Sequence, residues 1–212
     1  MMNDDDVLGL IRQCRICRDT PDGMPLPHEP RPVLQMGRKA RVLIAGQAPG
    51  TRVHASGRPF TDPSGDRLRH WLGVDAGAFY DPSKFAIIPM GFCFPGLNER
   101  GADLPPRREC ALTWRGQVLA RMPEIELVVC LGANAMRWHM GTMFEGSVDK
   151  AVRNWRGGLS LNPAVLPLPH PSWRNSGWLR RNPWFEEELL PILRERVASL
   201  TASQLAGNGR AV

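Results

Sequence analysis

Residues 41–60 read RVLIAGQAPGTRVHASGRPF. Val42-Leu43-Ile44-Ala45 is a short, unbroken apolar run, the pattern of a strand buried on both faces of a parallel sheet. It stops at Gly46-Gln47-Ala48-Pro49-Gly50, where two glycines and a proline around one amide predict a tight turn at the strand's carboxyl end. Ligands of open α/β sheets bind outside such ends. Gly57-Arg58-Pro59-Phe60 then carries an aromatic ring on a second stiff loop. Small backbone, one amide and one flat ring suit a pocket for a planar ligand.

The same strand-then-turn pattern recurs outward from this stretch. Residues 85–88, 127–131 and 162–168 are apolar runs that end at Pro89, at Gly132 and at Pro169-His170-Pro171-Ser172. Helical spacing predicts helices over residues 7–15, 64–72, 109–121, 133–140 and 182–200, the last entered at Pro183. Strands alternating with helices predict a three-layer α/β/α sandwich around a central, mainly parallel four-stranded sheet. Residues 1–200 read as one domain, and the small, polar stretch 201–212 as a flexible tail.

The 212 residues carry 27 Lys plus Arg against 21 Asp plus Glu, a net charge of +6, and lysine stands only at Lys39, Lys84 and Lys150. An arginine-rich basic surface suits a polyanion such as nucleic acid, although a bias toward arginine codons gives the same composition. No apolar run reaches the roughly 18 residues of a membrane span. The acidic start MMNDDDVLGL lacks the order of a signal peptide, so a cytoplasmic location and no membrane partner are expected.

Five cysteines in a reducing compartment read as thiols or metal ligands. Cys14-x-x-Cys17 gains weight from a second pair, Cys93 and Cys110. Four thiolates from two segments could enclose a zinc ion or a [4Fe–4S] cluster, or be two unrelated pairs of buried thiols. Cys130, inside an apolar run, reads as a core residue.

Gly-Gln-Ala-Pro-Gly, Gly-Arg-Pro-Phe, the Cys93–Cys110 segment and His-Pro-Ser, in that order, resemble the uracil-DNA glycosylase superfamily. The likeness is greatest to the iron–sulfur members of bacteria and archaea, and it runs from Cys14 to about Leu193. It implies a DNA-repair enzyme that flips uracil, or another deaminated base, out of DNA and hydrolyses its N-glycosidic bond. Free uracil and abasic DNA are then the products, and the protein a monomer. A structural [4Fe–4S] cluster on Cys14, Cys17, Cys93 and Cys110 is implied, with zinc as the alternative.

The resemblance also assigns roles. Phe60 stacks on the base, and Gly46, Ala48, Pro49 and Gly50 bring backbone close to it. Gln47 reaches a base edge or holds a water. His170 donates to uracil O2, stabilising charge that develops only in the transition state. Ala48 stands where the most active relatives have a water-activating aspartate, so that role passes to Asp62, with Asp66 second. Asp62 or Ser64 could instead simply cap the helix that follows.

Relatives carry a base-reading asparagine after the second strand. Here Pro89 or Met90 takes that place, Asn98, Asn134 and Asn175 are the candidates to substitute for it, and Asn175 is assigned to substrate binding. Arg58, Arg174, Arg180 and Arg181 are assigned to phosphates, and Trp173, Trp178 or Leu179 to the wedge that fills the gap of the flipped base. Trp184 reads as packing the closing helix. His54, within the short loop before Gly57, marks an alternative: a protein that binds uracil-containing or abasic DNA and traps its product.

Overall fold

A computed structural model describes residues 4–202. Its centre is a four-stranded, all-parallel sheet of β1 (Val42–Ala45), β2 (Phe85–Ile87), β3 (Leu127–Leu131) and β4 (Ala164–Leu168) in the order β2-β1-β3-β4. β1 pairs Val42 with Phe85 on one side and with Leu127 on the other, so the strand opening the 41–60 stretch is central and wholly buried. Pro167 lies opposite Cys130 in β4, where an edge strand tolerates a residue that cannot donate to a ladder. The other edge, β2, is covered by an antiparallel bridge through which Gln35 and Ile87 exchange both backbone hydrogen bonds.

By the right-handed rule for parallel crossovers, the strand order places the helix Pro63–Leu72, which links β1 to β2, on one face. The helical stretches linking β2 to β3 and β3 to β4 fall on the other. The closing helix Leu190–Thr201 joins Pro63–Leu72, and Trp71 meets Phe185 edge-on at 5.0 Å between ring centroids. The three-layer sandwich is therefore as expected.

Boundaries differ from the expectation in small ways. Residues 108–119 are helical but widen to a π-turn over Ala111–Arg115, and a second π-turn, Phe185–Leu189, opens the closing helix two residues past Pro183. The stretch between the two glycine loops is not all loop: Thr51–Ser56 is a short helix ended by Gly57 at φ +71°. Seven further short helical segments among the described residues, two of them 3-10 turns, fall outside the expected helices. Of the expected tail, residues 203–212 lie outside the described residues. No helix among the described residues is long and apolar enough to cross a membrane.

Candidate active site

The turn after β1 is held by the turn after β2, with the Met90 amide donating to Gly46 O and the Gly91 amide to Gln47 O. Beside it opens a pocket of about 100 Å³. Gly46, Gln47, Ala48, Pro49, Gly50, Phe60, Asp62 and His170 all line it, so eight of the sequence-derived residues from three separate loops share one wall.

Phe60 takes φ +54°, an unfavourable backbone for a residue with a side chain. Its surroundings hold it there. Tyr80 Oη and Arg69 Nη1 donate to its carbonyl at 3.1 and 3.3 Å, and its ring meets Phe79 edge-on. The ring tip stands over the turn, 3.6 Å from where a Cβ on Gly46 would be. A glycine at 46 thus leaves a gap bounded by an aromatic ring.

Asp62 occupies the N-cap position of Pro63–Leu72 but makes no side-chain cap. Its two carboxylate oxygens instead accept from Ser64 Oγ at 2.8 and 2.9 Å, and the group faces the pocket. Asp66 points away and pairs with Arg69. Arg67 ties this helix to the His170 loop, donating to Ser172 O at 3.0 Å and approaching Ser176 Oγ at 3.4 Å.

His170 is partly buried, and desolvation holds its imidazole below the usual histidine range against the pull of Asp62 and Asp103. Asp103, which no sequence motif marks, also lines the pocket. Partial burial raises its carboxyl, opposed by Arg174 and His170 and reinforced by Asp62. It is carried by a loop closed between residues 97 and 103, with the Asn98 amide donating to Ala102 O and the Leu104 amide to Gly96 O. An acid in a loop rich in Pro, Gly and Arg has no local pattern that distinguishes it.

Pro89 stands where the resemblance leads one to expect a base-reading asparagine. Pro89 lines the pocket, and its carbonyl, with that of Ile88, accepts from the fully buried Arg115 at 3.0 and 3.1 Å. None of the three asparagines considered lines the pocket. Asn98 closes its own turn by accepting from the Arg100 and Ala102 amides. Asn134 donates to Gln47 Oε1 at 2.8 Å, while Gln47 Nε2 donates to Leu131 O at 2.6 Å, so the Gln47 amide is held from both ends. Asn175 donates to His170 O at 2.7 Å and positions the loop from behind.

Of the wedge candidates, Trp178 donates to Asp149 and packs on Phe185, and Leu179 packs against the core. Trp173 is 76 % exposed. Trp184 packs on Trp178 and Phe185, as expected. Arg174, Arg180 and Arg181 are exposed, Arg174 with its guanidinium 6.0 Å from the Trp173 ring, and Arg58 lies over the Tyr80 ring at 3.5 Å. His54 does not line the pocket; its ring packs on His28 and Phe94.

Cys14, Cys17, Cys93 and Cys110 line one small cavity, with Ile11, Leu26, Phe92 and Trp114. Trp114 Nε1 donates to Cys14 Sγ at 3.2 Å and the Phe92 amide to Cys110 Sγ at 3.3 Å. Burial pushes the Cys17, Cys93 and Cys110 thiols up to about 12. Among the described residues no group of three or more His, Cys, Asp or Glu is arranged to hold a single metal ion. Cys130 is a buried core residue of β3.

A family model of the uracil DNA glycosylase superfamily matches residues 35–194, about three quarters of the chain. With the parallel sheet and the pocket at its carboxyl end, this match shows that the chain belongs to the uracil DNA glycosylase superfamily.

Proposed function

We propose that the protein excises uracil from DNA by hydrolysing the N-glycosidic bond, leaving free uracil and an abasic site. The observation that carries this reading is the meeting of Phe60, the 46–50 turn, His170 and two carboxylates in one small pocket. The ring over Gly46 stacks on a flipped, flat base, and the low volume suits a pyrimidine. As the C1′–N1 bond breaks, its electron pair goes to uracil and the sugar becomes cationic. His170, kept neutral by burial, donates to the developing oxyanion at O2. Water attacks C1′ and its proton passes to a carboxylate. Asp62, held by Ser64, is assigned that proton, and Asp103 adds negative charge beside the sugar.

Arg58, Arg174, Arg180 and Arg181 meet phosphates, and Trp173 enters the duplex in place of the flipped base. The four thiols fit a cluster by donor type, by their common cavity and by the two N–H groups aimed at sulfur. Cys14, Cys17, Cys93 and Cys110 would hold a [4Fe–4S] cluster there, which would cross-link two distant segments and take no part in the reaction. His54 packs away from the pocket, which favours turnover over trapping.

Base release from strands carrying uracil, hypoxanthine or xanthine tests the reading. Wild type is expected to release uracil over many turnovers. His170→Ala and Asp62→Asn should each lower kcat by about 10²–10³-fold, and Asp103→Asn by less. Folded protein that releases none of the three bases refutes the proposal.

A further inference from the structure

A second concavity, about 450 Å³, lies next to the base pocket and is unused by the reaction just described. Arg107, Arg108 and Arg137 line it, with Trp138, Leu112 and Asn134. Leu112 is 62 % exposed and Trp138 40 %, an apolar surface open to solvent. None of the three guanidinium groups pairs with a carboxylate among the described residues; Arg137 reaches only Asn134 Oδ1, at 3.5 Å, and the Phe144 ring. Unpaired arginines around an aromatic face are what a nucleic-acid strand requires: cations for phosphate and a π-face for a base.

The groove is joined to the pocket by short bonds. Asn134 donates to Gln47 Oε1 within the turn that lines the pocket, and Met90, on the groove floor, donates its amide to Gly46 O. A strand with one nucleotide in the pocket therefore has this groove within reach of its next residues.

We propose that the groove is a subsite for an unpaired nucleotide flanking the target, its phosphate held by Arg107, Arg108 and Arg137 and its base laid on Trp138 and Leu112. The occupant is negatively charged, as the guanidinium ring requires, and unpaired, because a base inside a duplex cannot present its face to Trp138. The strand's identity as DNA rests on the glycosylase reading. The subsite itself does not depend on catalysis.

The test compares wild type, Arg107→Gln/Arg108→Gln/Arg137→Gln and Trp138→Ala on a single-stranded uracil-bearing oligonucleotide and on the same sequence in a duplex. Both binding and base release are measured at several salt concentrations. All four side chains are at or near the surface, and Trp138→Phe, which keeps a stacking face, controls for lost packing. The triple variant should bind the single strand at least about tenfold more weakly, its salt dependence shallower by about 0.7 in log–log slope, the share of one phosphate on a single strand. Trp138→Ala should lose about tenfold on the single strand, with Trp138→Phe restoring most of it and the duplex affected less. Losses should fall on KM. Unchanged single-strand affinity and salt slope with base release intact would overturn the subsite and leave the glycosylase standing. If wild type binds the strand, releases no base, and loses binding in the triple variant, the subsite stands and the glycosylase reading falls.

Discussion

Arg115 is a guanidinium in a site fully closed to water, and its surroundings lower it to about 10 through burial. It donates to the carbonyls of Ile88 and Pro89 and to His139 Nε2. An imidazole that accepts from a buried cation must keep that nitrogen unprotonated. Burial, then the nearby charge of Arg115, pushes His139 down from 6.5 to about 3. At pH 5 the unfolded chain therefore binds a proton at His139 that the native protein does not. Stability from this residue is whole above pH 6.5 and falls as pH drops toward 3. His170, also lowered by burial, acts in the same direction. His139→Gln, which keeps an acceptor for Arg115, should flatten the decline of Tm between pH 6.5 and pH 4, measured by calorimetry; an unchanged slope would show that His139 is not the titrating group. No residue count reveals this pair, because His139 lies in an apolar-spaced helix and its partner is 24 residues away.

At the scale of elements, the helix Pro63–Leu72 carries Asp62 at its start and presses against the strained Phe60. Gly65, in its first turn, is the point of approach: a Cβ there would lie 1.9 Å from Phe60 O. Alanine normally stabilises a helix by about 1 kcal/mol relative to glycine. Gly65→Ala should do the reverse, costing about 1–3 kcal/mol by overpacking, and should slow base release by displacing Phe60. Gly116, helical and open on all sides, is the control, and Gly116→Ala should raise Tm. Thermal unfolding of the two variants separates close approach from helix propensity. The helix itself was visible from Leu68, Trp71 and Leu72 at inward spacing, but its glycine reads in sequence as a plain helix weakener. Only the path of residues 57–60 turns it into a requirement.

At the scale of the whole molecule, residues 7–33 join the rest of the protein through Val7, Ile11 and Leu26 in the core and through a set of specific bonds. The Val33 amide donates to Phe92 O, His28 Nε2 to Phe94 O and Arg31 Nη1 to Ala55 O, and the thiol cavity joins Cys14 and Cys17 to Cys93 and Cys110. Protein prepared without oxygen should carry about four irons per chain, and Cys14→Ser should lose iron and lower Tm, while Cys130→Ser keeps the iron. Metal analysis decides it, and zinc in place of iron would replace the cluster while keeping its ligands. Much of this architecture was legible along the chain. Apolar runs that stop at glycine and proline are local signals of buried strands, and β1, β3 and the turn at 46–50 follow from them directly. The four cysteines and the order of the loops are equally local. What tertiary structure alone decided depends on contacts between distant residues. It brought Asp103 to the pocket, turned Pro89 to Arg115, fixed the Gln47 amide between Leu131 and Asn134, and left Trp173 exposed while packing Trp178 on Phe185. Periodicity reports which way a side chain faces within its own element, but not what another part of the chain places opposite it.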